Sequence, residues 1–279
     1  MTQSLLTVDG TEYSTDKLSD ALKAIEGDIG INNFILYVHG RGKEPTKSLA
    51  HVIPQLEREY KAKVLMFHWS PSWSGVFGYP NNEAKAASTA LFKILKDFKV
   101  YKSAGFEGGK STFLVHSMGN IVLANMMNSY VSEELEENLF DTIILNSADA
   151  DADVHHEWVE KIDFTPKLGD RRNIYITVNE HDVILRLSAK RQVKKRLGQK
   201  LQSMLGRYFS LAKNANYLDV TECEVNHRYF IKSGQKNNPY LQQFYGSVLN
   251  GIPIDLNGWA GIYKKRPGNG NFIYELKAK

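Results

Sequence analysis

Thr112-Phe113-Leu114-Val115-His116-Ser117-Met118-Gly119-Asn120 runs an apolar strand into a serine and opens a helix directly after it. A strand, a sharp turn at serine and an immediate helix make the context of a nucleophile elbow. Such a turn lifts the hydroxyl above the carboxyl edge of a sheet, and the helix beginning beneath it offers unpaired N–H groups to developing negative charge. Gly119 suits a turn that brings the helix close to neighbouring strands. Val115 departs from the usual pattern, which has a small residue two before the serine.

Outward from this stretch, short apolar runs without helical period occur at Phe34–His39, Val64–Trp69, Thr142–Leu145, Asn173–Val178 and Ala215–Val220. Helix-like stretches lie between them near Pro45–Tyr60, Glu83–Lys99, Asn120–Tyr130, Arg186–Phe209 and Asn238–Asn250. Apolar strands separated by helices predict an α/β fold, a mostly parallel sheet flanked by helices. Val8-Asp9-Gly10-Thr11 and a helix around Asp16–Ile25 form an N-terminal extension over 1–30. The tail over 251–279, with Pro267-Gly268-Asn269-Gly270, reads as a hairpin. No Pro/Gly/Ser-rich linker divides the chain, so one domain over 1–279 is expected. Little room remains between Leu145 and Asn173 for a cap, which is expected to be small or absent.

A serine hydroxyl is a weak nucleophile without a base beside it. On a sheet of this kind the chain order is serine, acid, histidine. Of the eight histidines, His227 alone lies beyond the strand Asn173–Val178 with room for another strand. Asp182 directly follows that strand and is the expected acid; Asp149 and Asp151, after the preceding strand, are the alternatives. Two backbone N–H groups should serve an oxyanion, that of Met118 and that of Arg41 in the turn His39-Gly40-Arg41-Gly42. Candidate pocket residues are His39, Gly40, Trp69, Trp73 and His116. The loop 69–80 carries several aromatic residues at the carboxyl end of a strand, where ligands bind in such sheets.

In order, Tyr37-Val38-His39-Gly40, Phe67-His68-Trp69-Ser70-Pro71-Ser72 with Tyr79, His116-Ser117-Met118-Gly119-Asn120, the Asp149/Asp151 pair, Asn179-Glu180-His181-Asp182, Arg196-Leu197-Gly198 and His227-Arg228-Tyr229 resemble an uncharacterised bacterial family with the α/β-hydrolase fold, related to lipases and esterases. The resemblance runs from about Phe34 to Tyr229. It implies the triad Ser117, Asp182 and His227, and no particular substrate. Val115 and an extra residue between Trp69 and Pro71 depart from the pattern. The expected activity is cleavage of carboxylic esters through an acyl-enzyme, with a lipid ester as its finer form and no cofactor.

Other features are weaker. Asp149-Ala150-Asp151-Ala152-Asp153-Val154 with Glu160 approaches a calcium-loop spacing, but Val154 stands where the turn glycine belongs; no metal is expected. From Arg186 to Lys213 there are nine Lys or Arg and no acid. Leu197, Leu201, Leu205 and Tyr208 recur at helical spacing, so a basic amphipathic helix is expected there. It could touch an anionic membrane surface. The rival function is therefore a non-catalytic binding module that holds an anionic partner through 186–213. The net charge of +4 is too small to point to nucleic acid. Cys223 is the single cysteine, which excludes an internal disulfide and fits a reducing compartment. The opening Met1-Thr2-Gln3-Ser4-Leu5-Leu6 lacks the pattern of a signal peptide. No apolar run approaches the ~18 residues that span a bilayer. A cytoplasmic location is the expectation.

Overall fold

The computed structural model describes residues 4–26, 33–41, 51–70, 79–104, 109–130, 134–135, 137–203 and 205–278. Its strands are β1 Leu5–Val8, β2 Thr11–Ser14, β3 Asn33–Val38, β4 Lys63–His68, β5 Lys110–His116, β6 Thr142–Asn146, β7 Lys167–Leu168, β8 Arg171–Arg172, β9 Ile174–Val178, β10 Asn216–Asp219, β11 Ile262–Pro267 and β12 Phe272–Leu276. Its helices are α1 Leu18–Glu26, α2 Ile53–Tyr60, α3 Asn81–Ser103, α4 Gly119–Ser129, α5 His155–Val159, α6 Val183–Gln192 and α7 Pro239–Val248.

Ten strands form one sheet in the order β11-β12-β10-β9-β6-β5-β3-β4-β1-β2. From β4 through β12 every neighbouring pair is parallel. The N-terminal hairpin closes one edge antiparallel to β4 and the C-terminal hairpin supplies β12 and β11 at the other. The central strands are buried along nearly their whole length, with apolar residues through their middles, because both faces are covered. In β3, Phe34, Leu36 and Val38 enter the core beneath α3 and α4, while Ile35 and Tyr37 enter the core beneath α2 and α7.

Between β6 and β9 the chain carries only the short α5 and the β7–β8 hairpin, so nothing of cap size covers that part of the carboxyl edge. The first part of the expected helix Pro45–Tyr60 lies outside the described residues. The expected basic helix over 186–213 is corrected. Its helical part ends at Gln192, where Val193 turns left-handed at φ +55°. The following residues run as an irregular strap, with Arg196 bridged to Asp151 and a turn over 197–199: Leu197 N–H donates to Ala150 O and Gly198 N–H to Ala148 O, both at 2.9 Å, and Gly198 O accepts from Asn179 N–H. A Cβ on Gly198 would lie 2.2 Å from Ala148 N, so only glycine permits this pairing. Leu197 and Leu201 are buried, but Leu205 is 82% exposed. Leucines at helical spacing here belong to a strap whose backbone is paired elsewhere, and tertiary pairing overrides the local pattern. No helix among the described residues is long and apolar enough to cross a membrane.

Candidate active site

Ser117 sits between β5 and α4 at φ +53°, a region that non-glycine residues enter at a cost of about 1–3 kcal/mol. Its backbone is tied from several sides. Ser117 N–H donates to Asn146 O at 3.0 Å, and Ser117 O accepts from Asp149 N–H at 3.0 Å and Asn120 N–H at 3.1 Å. The buried Asn120 amide also donates to that carbonyl and to Val115 O. Two glycines make room: a Cβ on Gly119 would stand 2.9 Å from the carbonyl oxygens of Val38 and His39, and one on Gly40 would stand 2.5 Å from Ser117 Cβ. Val115 packs fully buried in the core beneath α4, and the turn closes with it in place.

His227 lies in the loop after β10. Its Nε2 is 3.0 Å from Ser117 Oγ and its Nδ1 is 2.7 Å from Asp182 Oδ2. Asp182 is buried and does two things at once. Oδ1 accepts from Leu185 N–H at 3.0 Å as the N-cap of α6, and Oδ2 meets His227. A helix N-terminus favours a carboxylate at this position. The His227 carbonyl is held in turn, accepting from Ser147 Oγ at 3.0 Å and from His116 Nε2 at 3.3 Å. Ser147 directly follows β6 with φ +44°, as Ser117 directly follows β5. Behind it the Asn146 amide donates to Ser147 Oγ and accepts from Tyr245 OH. Burial, then the charges of His227 and Arg228, hold the pKa of His116 well below the usual value, so its ring is neutral with the proton on Nε2.

The turn over Ser117 has its own support. His39 Nδ1 is 2.6 Å from Gly40 O and therefore donates to it. Its Nε2 then accepts from His68 Nδ1 at 2.9 Å and from Trp69 N–H at 3.3 Å. Burial lowers the pKa of His39 to about 4, so this ring too is neutral. Gly40 O and Arg41 N–H belong to one planar peptide, so a grip on the carbonyl also fixes where the N–H points.

The structure brings Ser117, Asp182 and His227 together, with Gly40, Arg41 and Met118 against the serine. Other expectations are corrected. His39 and Trp69 do not line either cavity at Ser117; both are buried behind the turn, where Trp69 Nε1 donates to His39 O at 2.9 Å. Trp73 lies outside the described residues. Asp149 and Asp151 do not meet His227. The buried Arg196 takes both, with Nε 3.4 Å from Asp149 and Nη1 2.5 Å from Asp151. A guanidinium thus occupies the place a cation would take in that acidic loop, and Ser188 Oγ adds a hydrogen bond to Asp149 at 2.7 Å. Burial raises the pKa of Asp149 to about 6 against the opposing pull of Arg196.

Two cavities open at Ser117. The larger, about 650 Å³, is walled by His116, His181, Val183, Ile184, Val225 and Arg228. The smaller, about 260 Å³, runs over Met118 between Tyr79, Ile184, Leu187 and Arg191. Arg41 borders both. Sequence reasoning missed Val183 and Ile184 by starting this helix at Arg186. The available signal was Asp182 itself, a good N-cap directly before an apolar turn.

Residues 35–242 match the model of a family described as alpha/beta hydrolases of unknown function (DUF900). None of the curated proteins matches the chain. Among solved structures, carboxyl esterase 2 from the mycorrhizal fungus Tuber melanosporum covers 80% of each chain at 14% identity and a TM-score of 0.44. An esterase of Pyrobaculum calidifontis covers 80% of this chain and 77% of its own at 13% identity and a TM-score of 0.41. At these TM-scores neither likeness bears on activity.

Proposed function

The chain belongs to this family of alpha/beta hydrolases, and on that footing we propose that it is a serine hydrolase that cleaves carboxylic esters through an acyl-enzyme. The reading is carried by one observation, the unbroken chain from Ser117 Oγ through the His227 ring to Asp182, at 3.0 and 2.7 Å.

His227 Nε2 takes the hydroxyl proton as Ser117 Oγ attacks the ester carbonyl carbon. Asp182 holds the ring with Nδ1 protonated and stabilises the imidazolium that forms. The tetrahedral oxyanion is met by the backbone N–H groups of Met118 and Arg41, each worth about 3 kcal/mol in comparable sites. His227 returns the proton to the alcohol oxygen as the carbon–oxygen bond breaks, leaving an acyl ester on Ser117. Water then repeats the sequence with His227 as base and releases the acid. A lipid ester is the finer form of this reading. Val183 and Ile184, 60% and 52% exposed on the wall of the larger cavity, favour an apolar group there.

A fluorophosphonate probe is expected to label the wild-type protein and to spare Ser117→Ala. Labelling that survives this substitution overturns the assignment.

A further inference from the structure

Asn179 directly follows β9 and is fully buried. Four hydrogen bonds tie it to its surroundings. Its backbone N–H donates to Gly198 O of the strap at 2.9 Å, and its carbonyl accepts from Asp182 N–H at 3.1 Å. Its side-chain Oδ1 accepts from His181 N–H at 3.0 Å, and its Nδ2 donates to Val225 O at 3.1 Å. A carbonyl can only accept and a backbone N–H only donate, so these partners allow the amide one orientation.

The two ends of that amide reach the two segments that carry the acid and the base. Oδ1, with the backbone carbonyl, closes the turn Asn179-Glu180-His181-Asp182. Asparagine favours such a turn because its side chain bonds its own backbone two residues on. The turn delivers Asp182 to its place before α6. Nδ2 takes the carbonyl of Val225, two residues before His227. From Glu224, at φ +52°, to His227 the chain forms neither strand nor helix, so regular backbone pairing does not set its height above the sheet. Side chains set it instead. Ser147 and His116, at the ends of β6 and β5, hold the His227 carbonyl, and Asn179 holds that of Val225 from the acid side. Thr221 Oγ1 adds a tie at the start of the same loop, accepting from Glu180 N–H at 3.0 Å. Asn179 lines neither cavity at Ser117.

We propose that Asn179 is a positioning residue that sets the meeting of Asp182 Oδ2 with His227 Nδ1. This rests on the esterase reading of the same site. Asn179 acts through the two residues it places and not on the reacting atoms. It holds acid and base at the 2.7 Å separation at which Nδ1 keeps its proton and Nε2 stays free to take that of Ser117. Without the amide the turn and the base loop lose their shared anchor, and a misplacement of about 1 Å in such a constellation costs about 100-fold in rate.

The test reads turnover and ring geometry separately. Turnover of p-nitrophenyl butanoate is measured well below the melting temperature of each variant, and the nitrogen-15 shift of His227 Nδ1 is measured in the same proteins without substrate. Asn179→Ala is expected to lower kcat by about 10- to 100-fold with KM changed by less than about threefold. It should move the Nδ1 shift in the direction that Asp182→Ala moves it, toward a ring that shares its proton between both nitrogens. A purely structural role lowers the melting temperature and leaves both readings at their wild-type values. Asn179→Ser keeps an oxygen for His181 N–H but is too short to reach Val225 O. It should share the loss and the shift, and it decides the question where the alanine variant does not fold. A kcat within about threefold of wild type, or an unmoved Nδ1 shift, overturns the proposal. The esterase reading fails separately, if the wild-type protein turns over no ester and the fluorophosphonate leaves Ser117 unlabelled; the ring shift needs no substrate and decides this proposal in either case.

Discussion

At the scale of single residues, Asp182 separates catalysis from stability in one side chain. One oxygen caps α6 and the other holds His227 Nδ1–H. Asparagine caps a helix about as well as aspartate. It cannot keep the charge that stabilises the imidazolium, and its amide can turn the ring to the wrong tautomer. Asp182→Asn should therefore lower kcat by about three to four orders of magnitude while leaving the melting temperature nearly unchanged. Asp182→Ala should lose activity comparably and also about 1 kcal/mol of stability through the missing cap. Ester kinetics and thermal melts on both variants check this, and equal loss of stability in the two would contradict the division of labour. Ser147 and His116 act one step further back, on the His227 carbonyl. Neither of these contacts was legible in the sequence. Both depend on a loop returning to a strand end about a hundred residues away, and no local pattern records such a return.

At the scale of elements, what could be read and what could not divide along the same line. The elbow was legible because strand, turn and helix are adjacent in sequence, and the places of Asp182 and His227 followed from counting strands. The segment after α6 was misread because Leu197 and Leu201 imitate a helical face, while the strap they belong to is paired with Ala148 and Ala150. Arg196 fastens that strap. Its guanidinium is buried between Asp149 and Asp151, donates to Tyr79 OH at 3.3 Å and lies over the Tyr79 ring. Removing one partner of a buried ion pair leaves an uncompensated charge, at a typical cost of about 3–5 kcal/mol. Arg196→Ala should lower the melting temperature accordingly, and part of the loss should return on acidification as the orphaned Asp149 carboxyl takes a proton: its pKa is about 6 with Arg196 in place, and losing that opposing charge moves its protonation to higher pH. A melting temperature within a degree or two of wild type would show that the strap is held by its backbone alone.

At the scale of the molecule, the parallel sheet explains why residues from distant parts of the chain converge. The adjacent strands β4, β3, β5, β6, β9, β10 and β12 all point their carboxyl ends the same way, so the loops after β3, β5, β9 and β10 share one edge. The same dense packing buries histidines that cannot hold a charge. Desolvation lowers the pKa of His39 and of His155 from 6.5 to about 4, and that of His116 well below 6.5. A base whose pKa falls on folding binds fewer protons folded than unfolded. Its contribution is present above the unfolded value and is lost as pH falls from 6.5 through the folded value. Asp149 has the opposite sign. Its pKa rises from 3.8 to about 6, so it adds stability as pH falls through that window and offsets one histidine. The net of about two histidines costs roughly 2–3 kcal/mol per pH unit below about pH 6. The melting temperature should therefore decline between about pH 7 and about pH 5, in a range where most carboxylates are still ionised. His155, hydrogen-bonded to Ala152 O and Tyr217 OH away from the catalytic edge, isolates one share of this effect. Replacing it as His155→Gln should flatten the dependence by about one proton's worth. A melting temperature that stays level or rises on acidification to pH 5 would mean that these rings gain charge inside the fold, against the burial described above.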